Sequence, residues 1–355
     1  MKYYFERTQI SPLARIRRVR QLPYPGELAV RSGQHVTPIQ VVGRAEEPVD
    51  LLVLNLVDRL GLSPAELAKH LAVGSGEVVE RGQVLWRKRS FWGRGRQVRS
   101  PIDGTFLGVS DNQLVLEPFA NLIEVRAMMP GQVVGITPGR SVTLECDGSF
   151  IQALYSVGPD GFGRLKVVTS TGDASFSASQ LTAEMRGLVL VAGHVDDPAL
   201  LAQAEEMGVR GIIAGSVTHK LLQATNATAL TIMVTDGIGH QPMAAPIFRL
   251  LQQAQERDVS LFVQDPLDRG SRPEIIIALP TVGVAAPPAA PPSVLAVGQQ
   301  VRLLREPYRS QMGEVVALYD QPQVTAIEGQ WPGVDVKLSG GEVVYVPCAN
   351  LDLIC

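Results

Sequence analysis

The sequence predicts a multidomain α+β protein in three parts. These are a β domain over residues 1–180, a small α/β domain with a mainly parallel sheet over 181–283, and a C-terminal β-barrel over 295–355. Three observations predict it. Short apolar runs bounded by glycine recur at roughly ten-residue spacing in the first half and again at the end. Between residues 183 and 283 the apolar runs alternate with capped helical segments, the pattern of βαβ units. Residues 284–294, VAAPPAAPPSV, hold two Pro-Pro pairs among alanines. That composition favours extended polyproline II and marks a semi-rigid linker.

Composition bounds the function classes. With 45% hydrophobic and 19% charged residues the chain has ample material for packed cores, unlike a disordered polymer. No apolar run reaches the ~18–20 residues of a membrane span. The start, MKYYFERTQISPLARIRR, lacks the apolar segment of a signal peptide, so a cytoplasmic location is expected. Cys146, Cys348 and Cys355 are far apart and form no CxxC pair, which predicts neither a disulfide framework nor a zinc site. Charge is uneven. Residues 1–100 hold 17 Lys/Arg against 9 Asp/Glu, and the remainder 15 against 26. The first part can face an anionic partner; a split of this kind is also met in proteins that associate with themselves.

The elements follow in order. Apolar runs Glu27–Val30 and Ile39–Val42 read as short strands after Pro25-Gly26 and Gly33. Arg15, Arg17, Arg18 and Arg20 would give one strand a basic face. A helical insertion is expected near 48–71: an apolar segment from Leu51 to Leu60, then a second start at Ser63-Pro64-Ala65-Glu66, with serine at the N-cap, proline at N1 and glutamate at N3. Strands resume over 72–170. In the α/β part, strands are expected at Gly187–Val191, Val209–Ile213, Leu230–Val234 and Val259–Val263. Helices are expected at Pro198–Met207, stopped by Gly208, at Thr218–Ala224 and at Pro246–Arg257. A further strand is expected within Arg272–Leu279.

Self-similarity at fixed offsets indicates a duplicated unit. Gly33-x-x-Val36-x-x-Ile39-x-x-Val42 aligns with Gly76-x-x-Val79-x-x-Gly82-x-x-Leu85, and Pro101-Ile-Asp-Gly104-Thr-Phe106 resembles Pro130-Gly131-Gln-Val133. These glycine and proline patterns resemble the two halves of the biotinyl/lipoyl-type, or barrel-sandwich hybrid, fold. The resemblance covers residues 20–150 and implies a barrel-sandwich-like β domain. Carrier members of that family attach a cofactor to a hairpin lysine beside Met or Asp. Lys88, in Trp86-Arg-Lys-Arg89, is the one lysine between the halves and stands in a different context, so no cofactor is expected.

The C-terminal strands, Gln300–Leu304, Gly313–Leu318, Gly333–Leu338, Glu342–Val346 and Asn350–Leu353, suit a small SH3-like barrel. Val297-Gly298-Gln-Gln-Val301 through Met312-Gly313-Glu-Val315 resembles the KOW motif of some ribosomal proteins and transcription elongation factors. Glu306 and Ser310 stand where that pattern has glycine. The resemblance implies contact with nucleic acid or ribonucleoprotein.

Two stretches carry candidate sites. The first is Thr235-Asp236-Gly237-Ile238-Gly239-His240, at the end of a parallel strand, with Gly215 and Ser216 at the end of its neighbour. Ligands bind at such strand ends, and Asp236 with His240 would form an acid/base pair. His194 and Asp196 share that rim, so a metal cluster with Asp236 and His240 is an alternative. No G-x-G-x-x-G or G-x-x-x-x-G-K-[ST] motif supports a nucleotide. The second stretch mixes cations with rings: Trp86, Arg87, Lys88, Arg89, Phe91, Trp92, Arg94, Arg96 and Arg99. Cations meet phosphates and rings stack on bases; the same residues also suit a protein partner. The expected function is a non-catalytic scaffold or adaptor that binds other proteins through its β modules. The alternatives are a nucleic-acid or transcription/translation-machinery binder using 86–99 and the KOW-like barrel, and a small-ligand sensor or enzyme at 235–240.

Overall fold

The computed structural model describes residues 7–56, 64–88, 95–111, 113–224, 228–264, 271–279, 295–309, 311–319, 321–324 and 329–354. The linker 284–294 and four residues of the basic loop, Arg89, Phe91, Trp92 and Arg94, lie outside the described residues.

In chain order the elements begin β1 (Arg7–Thr8), β2 (Ile10–Gln21), β3 (Gly26–Leu28), β4 (His35–Val36), β5 (Val41–Glu46), β6 (Leu52–Leu54) and α1 (Pro64–Lys69). Next come β7 (Glu77–Val79), β8 (Val84–Lys88), β9 (Arg96–Arg99), β10 (Gly104–Ser110), β11 (Gln113–Pro118), β12 (Leu122–Arg126), β13 (Gly131–Thr137) and β14 (Ser141–Gln152). The α/β part holds β15 (Tyr155–Val157), β16 (Gly161–Val167), β17 (Leu188–Val195), α2 (Pro198–Glu206), β18 (Gly211–Val217), α3 (His219–Ala224), β19 (Thr231–Ile238), α4 (Ala245–Gln253), β20 (Asp258–Phe262) and β21 (Glu274–Ala278). The chain closes with β22 (Gln300–Leu303), β23 (Met312–Leu318), β24 (Gln323–Val324), β25 (Gln330–Trp331), β26 (Gly333–Leu338), β27 (Val343–Pro347) and β28 (Leu351–Ile354). The protein is β-rich with few helices, as expected.

An eleven-stranded sheet is the frame, in the order β15-β19-β18-β17-β16-β20-β21-β14-β13-β4, with β2 also on β14. Strands β16 to β19 are parallel. Helices α2 and α3 bury Leu200, Leu201 and Leu221 on one face, and α4 buries Ile247 and Leu251 on the other. Asp197 caps α2 by accepting from the Ala199 N–H at 2.9 Å, and the chain leaves the helix at Gly208, φ +78°. The expected division at residue 180 falls inside this sheet, since β15 and β16 precede it. Strand β14 is the bond between parts: its first half pairs with β13 and its second with β21.

The helix expected from Leu51 is not formed at its start. Leu52–Leu54 is a strand on β11. Leu52 and Leu54 face a core while Leu51 and Val53 face out. A strand apolar on both faces has no polar alternation to separate it from a helix.

The repeat is a real duplication. In unit 1, built on β2, β4, β5, β12, β13 and the start of β14, the Ala29 N–H donates to Val42 O at 2.9 Å and the Gly33 N–H to Val133 O at 2.8 Å. In unit 2, built on β6 to β11 with α1, the Ala72 N–H donates to Leu85 O at 2.9 Å and the Gly76 N–H to Phe106 O at 2.7 Å. Val36 faces Gly131 as Val79 faces Gly104. A Cβ on either glycine would strike a carbonyl, that of Glu145 or Glu117. Both units carry a bulge on the next strand, at Val133/Gly135 and Phe106/Gly108. The two motif halves of unit 2, Gly76–Leu85 and Ser100–Phe106, thus pair with each other.

The units are nested. The ribbon β5/β12 of unit 1 corresponds to the ribbon β8/β9 of unit 2, with Val41 opposite Arg126 and Val84 opposite Arg99. Where unit 2 has residues 89–95 between its two ribbon strands, unit 1 has all of unit 2. Its chain leaves at Glu46 and returns at Leu122, which face each other.

The C-terminal sheet is six-stranded, β1-β28-β22-β23-β26-β27. Its first member comes from the other end of the chain: β1 lies parallel to β28.

Candidate functional site

The rim of the parallel sheet gathers the first set of candidates. Asp236 lies near the end of β19 and is buried. Its Oδ1 accepts from an Nη of Arg302 at 2.5 Å, and its Oδ2 from the Thr235 hydroxyl at 2.6 Å. The same guanidinium reaches Asp352 at 2.5 Å and the Thr235 carbonyl at 3.0 Å. Thr8 donates its hydroxyl to Asp352 at 2.5 Å, and Arg272 donates to the Thr8 hydroxyl at 2.7 Å. Burial works against charge on Arg302, but Asp236 and Asp352 outweigh it and push its pKa above the ordinary value. Asp236 is therefore a buried counter-ion that fastens the C-terminal sheet to the α/β part. It does not form the expected acid/base pair with His240.

His240 is exposed and meets His194 instead, edge to face with ring centroids 4.2 Å apart. Behind them, the buried Ser216 hydroxyl donates to Gln241 O at 2.6 Å and accepts from the Gln241 N–H at 3.0 Å. Its one proton is spent on that carbonyl. The His194 Nδ1, 2.9 Å away, is then the donor, which fixes the neutral Nδ1–H tautomer. Burial and the charge of His240 hold the His194 pKa below the ordinary value, against Asp196 and Ser216. Ser216 thus has no free proton to act with as a nucleophile.

Gly215 serves packing. A Cβ there would stand 2.6 Å from Gly193 O and 2.7 Å from Met243 Cβ. Gly237 and Gly239 sit at φ +126° and +115°, where the turn runs beside Arg309, whose guanidinium donates to Ile238 O at 2.6 Å. A cavity of about 420 Å³ opens next to His240, lined also by Asp173, Gln241, Phe248 and Arg249. Of this lining, sequence reasoning reached His240 alone; the loop carrying Asp173 has no motif that would announce it. Among the described residues no group of three or more His, Cys, Asp or Glu could hold a metal, and the alternative cluster of His194, Asp196, Asp236 and His240 is split by the turn of Asp236 toward Arg302.

The second set disperses as well. Trp86 is fully buried in the unit 2 core, with His70 against its ring at 6.0 Å. This corrects its expected role at a partner contact: the bulge between Val84 and Trp86 turns two successive side chains, Leu85 and Trp86, inward. Lys88 pairs with Glu66 at 2.7 Å, and Arg99 donates to Gly82 O at 2.6 Å. Arg87 and Arg96 are exposed on the ribbon. The basic face of β2 is spent inside the molecule: Arg17 on Glu145 at 2.6 Å, Arg15 on Asp147 at 3.3 Å, Arg20 on Asp160 at 2.8 Å, and Arg18 on Glu274. Much of the charge asymmetry is thus met between the two parts of the chain.

One feature escaped sequence reasoning. The outer face of the unit 2 sheet, β6-β11-β10-β7, is apolar and uncovered. Leu51 is 51% exposed, Val53 47%, Val78 60% and Leu107 40%. The signal was present in LLVLNL, whose two apolar faces resemble a helix. No family model matches the chain, and no curated protein matches it.

Proposed function

We propose that this protein is a non-catalytic scaffold or adaptor that binds other proteins through its β units. One observation carries the reading: unit 2 stands on a two-stranded ribbon of unit 1 and leaves an apolar sheet face to solvent. Exposed apolar patches of this kind mark interaction sites. Within this reading the nested units are barrel-sandwich hybrid modules related to biotinyl/lipoyl domains but without a carried cofactor. The C-terminal sheet is a KOW-type, SH3-like barrel. The pairing of Val79 with Gly104 supports the first identity and the order β28-β22-β23-β26-β27 the second. The commitment of Asp236 to Arg302 speaks against catalysis at the 235–240 turn.

Two other readings keep a specific support. Exposed Arg87 and Arg96, with the KOW likeness, favour nucleic acid or the transcription/translation machinery. The cavity beside His240 favours a small ligand.

A pull-down from cytoplasmic extract of the native host, with and without nuclease, separates the three. Proteins retained after nuclease support the adaptor. Recovery of nucleic acid alone, lost in Arg87→Glu/Arg96→Glu, overturns it in favour of the second reading. A thermal shift with a small anion or nucleotide, abolished by His240→Ala, favours the third.

A further inference from the structure

Resting on the adaptor reading, we propose that the outer face of unit 2 docks a cationic amphipathic helix of a partner protein. The duplicated unit supports this, because unit 1 shows which side chains the same positions carry in the other copy.

The two faces can be laid residue on residue from the strand registers. Thr143 pairs with Val19 in unit 1, and Val115 with Val53 in unit 2. Leu107 on β10 corresponds to Val134 on β13, at the same offset from the bulge. Val78 corresponds to His35, through the pairing of Val79 and Val36 with their glycines. Glu117 corresponds to Glu145. In unit 1 the residue opposite Glu145 is Arg17, which binds it at 2.6 Å. In unit 2 the continued register puts Leu51 opposite Glu117, and among the described residues no cation pairs with Glu117.

Unit 2 therefore differs from its duplicate in one direction. Arg17, His35 and Thr143 are replaced by Leu51, Val78 and Val115. The ion pair of unit 1 is reduced to its acidic half. Asp50, beside Leu51, and Asp111, in the β10–β11 turn, are exposed at the margins. An apolar floor with an unpaired glutamate calls for an apolar stripe flanked by lysine or arginine.

Charge selects the occupant. Two copies meeting through this face would set Glu117, Asp50 and Asp111 against the same carboxylates of the other copy, and like charges disfavour that pairing. Four strands at ~4.8 Å spacing and about five residues of ~3.3 Å rise give a floor of roughly 300 Å², wide enough to seat a single helix about 10 Å across.

The test uses the full chain and a synthetic Leu/Lys amphipathic helix as probe, with a Leu/Glu helix of the same pattern beside it. Fluorescence anisotropy should show binding of the Leu/Lys helix, weakened at least about tenfold by Val53→Asp or Leu107→Asp and unchanged by Val134→Asp, the matching substitution in unit 1. Glu117→Gln should weaken binding about threefold and reduce its salt dependence. Hydrogen exchange should slow at the amides of residues 104–118 when the probe is added. Equal binding of the Leu/Glu helix, or equal loss with Val134→Asp, overturns the proposal. So does a concentration-dependent dimer dissolved by Leu107→Asp, which would make a second copy the occupant. If host proteins are captured equally well by wild type and Leu107→Asp, the adaptor reading stands and this face is excluded. If neither captures any, the adaptor reading itself fails.

Discussion

Unit 1 and unit 2 share strand pairing, bulges, glycine positions and hydrogen bonds, yet they sit differently in the molecule. Unit 1 is rooted: β14 continues into the eleven-stranded sheet, and Arg18 of β2 reaches Glu274 of β21. Unit 2 is held by the ribbon β5/β12 and keeps a core of its own around Leu67, Trp86, Phe106 and Leu116. Side chains record the difference. Arg18 of unit 1 corresponds to Leu52 of unit 2 by register, and Arg17 to Leu51. Where unit 1 has cations, Arg18 on Glu274 of the main sheet and Arg17 on its own Glu145, unit 2 has aliphatic residues, Leu52 inward in its core and Leu51 outward. The same backbone is built into the main sheet in one copy and stands on a two-stranded ribbon in the other.

The sharpest way to break this comparison is a matched pair of core truncations. Leu144 and Leu116 are equivalent and both fully buried; removing either side chain to alanine should cost about 2–5 kcal/mol. For Leu144→Ala the loss should appear in global denaturation, because β14 carries the main sheet. For Leu116→Ala, hydrogen exchange should rise over residues 77–118 and stay low over 188–238. Uniform acceleration in both variants would show that the units do not differ in independence.

A second test reads pH. Burial lifts the Glu274 carboxyl from 4.5 to about 7, with Arg18 opposing. Between these values the folded chain holds a proton that the unfolded chain has released, so stability falls as pH rises through that window, by at most about 3 kcal/mol. Denaturant titrations at pH 4.5 and 8 should show this slope in wild type and a flatter one in Glu274→Gln. With Leu52 in place of the arginine, the exchange protection of unit 2 should lack the dependence.

Smaller still is the effect at the paired turns. Gly33 and Gly76 have φ of +82° and +83°, and at neither would an added Cβ meet any atom within 4 Å. Alanine at either site should cost about 1–2 kcal/mol through backbone conformation alone. Calorimetry of both variants checks whether the turns are energetically as alike as they are geometrically. Least disruptive should be excision: replacing residues 48–120 by an Asn-Gly turn leaves Glu46 beside Leu122, and the melting temperature should stay within a few degrees.

The repeat was legible because its marks are local. Gly33, Gly76 and Gly82 stand where φ is positive, and Gly104 and Gly131 where a Cβ would strike a carbonyl, so the glycines show in the sequence. The caps of α2 are local for the same reason. The nesting was not legible, since short strands do not say which ribbon they belong to. Leu52–Leu54 escaped because both its faces are apolar. Trp86 escaped because a bulge, invisible in composition, turned it inward. At the rim, Asp236 could be placed at a strand end but not assigned its partner: Arg302 lies 66 residues on, and nothing near either residue announces the pairing.

The insertion of one unit within the hairpin of the other also constrains the order of events during folding. Strands β5 and β12 cannot pair until the long stretch between Glu46 and Leu122 is gathered in. If unit 2 closes first, it delivers those two residues side by side and turns that long closure into a short one, a saving of about 2 kcal/mol in chain entropy. The inner module then acts as a template for the outer. Pulse-labelled exchange should find the amides of Gly76 and Leu116 protected before those of Gly33 and Leu144.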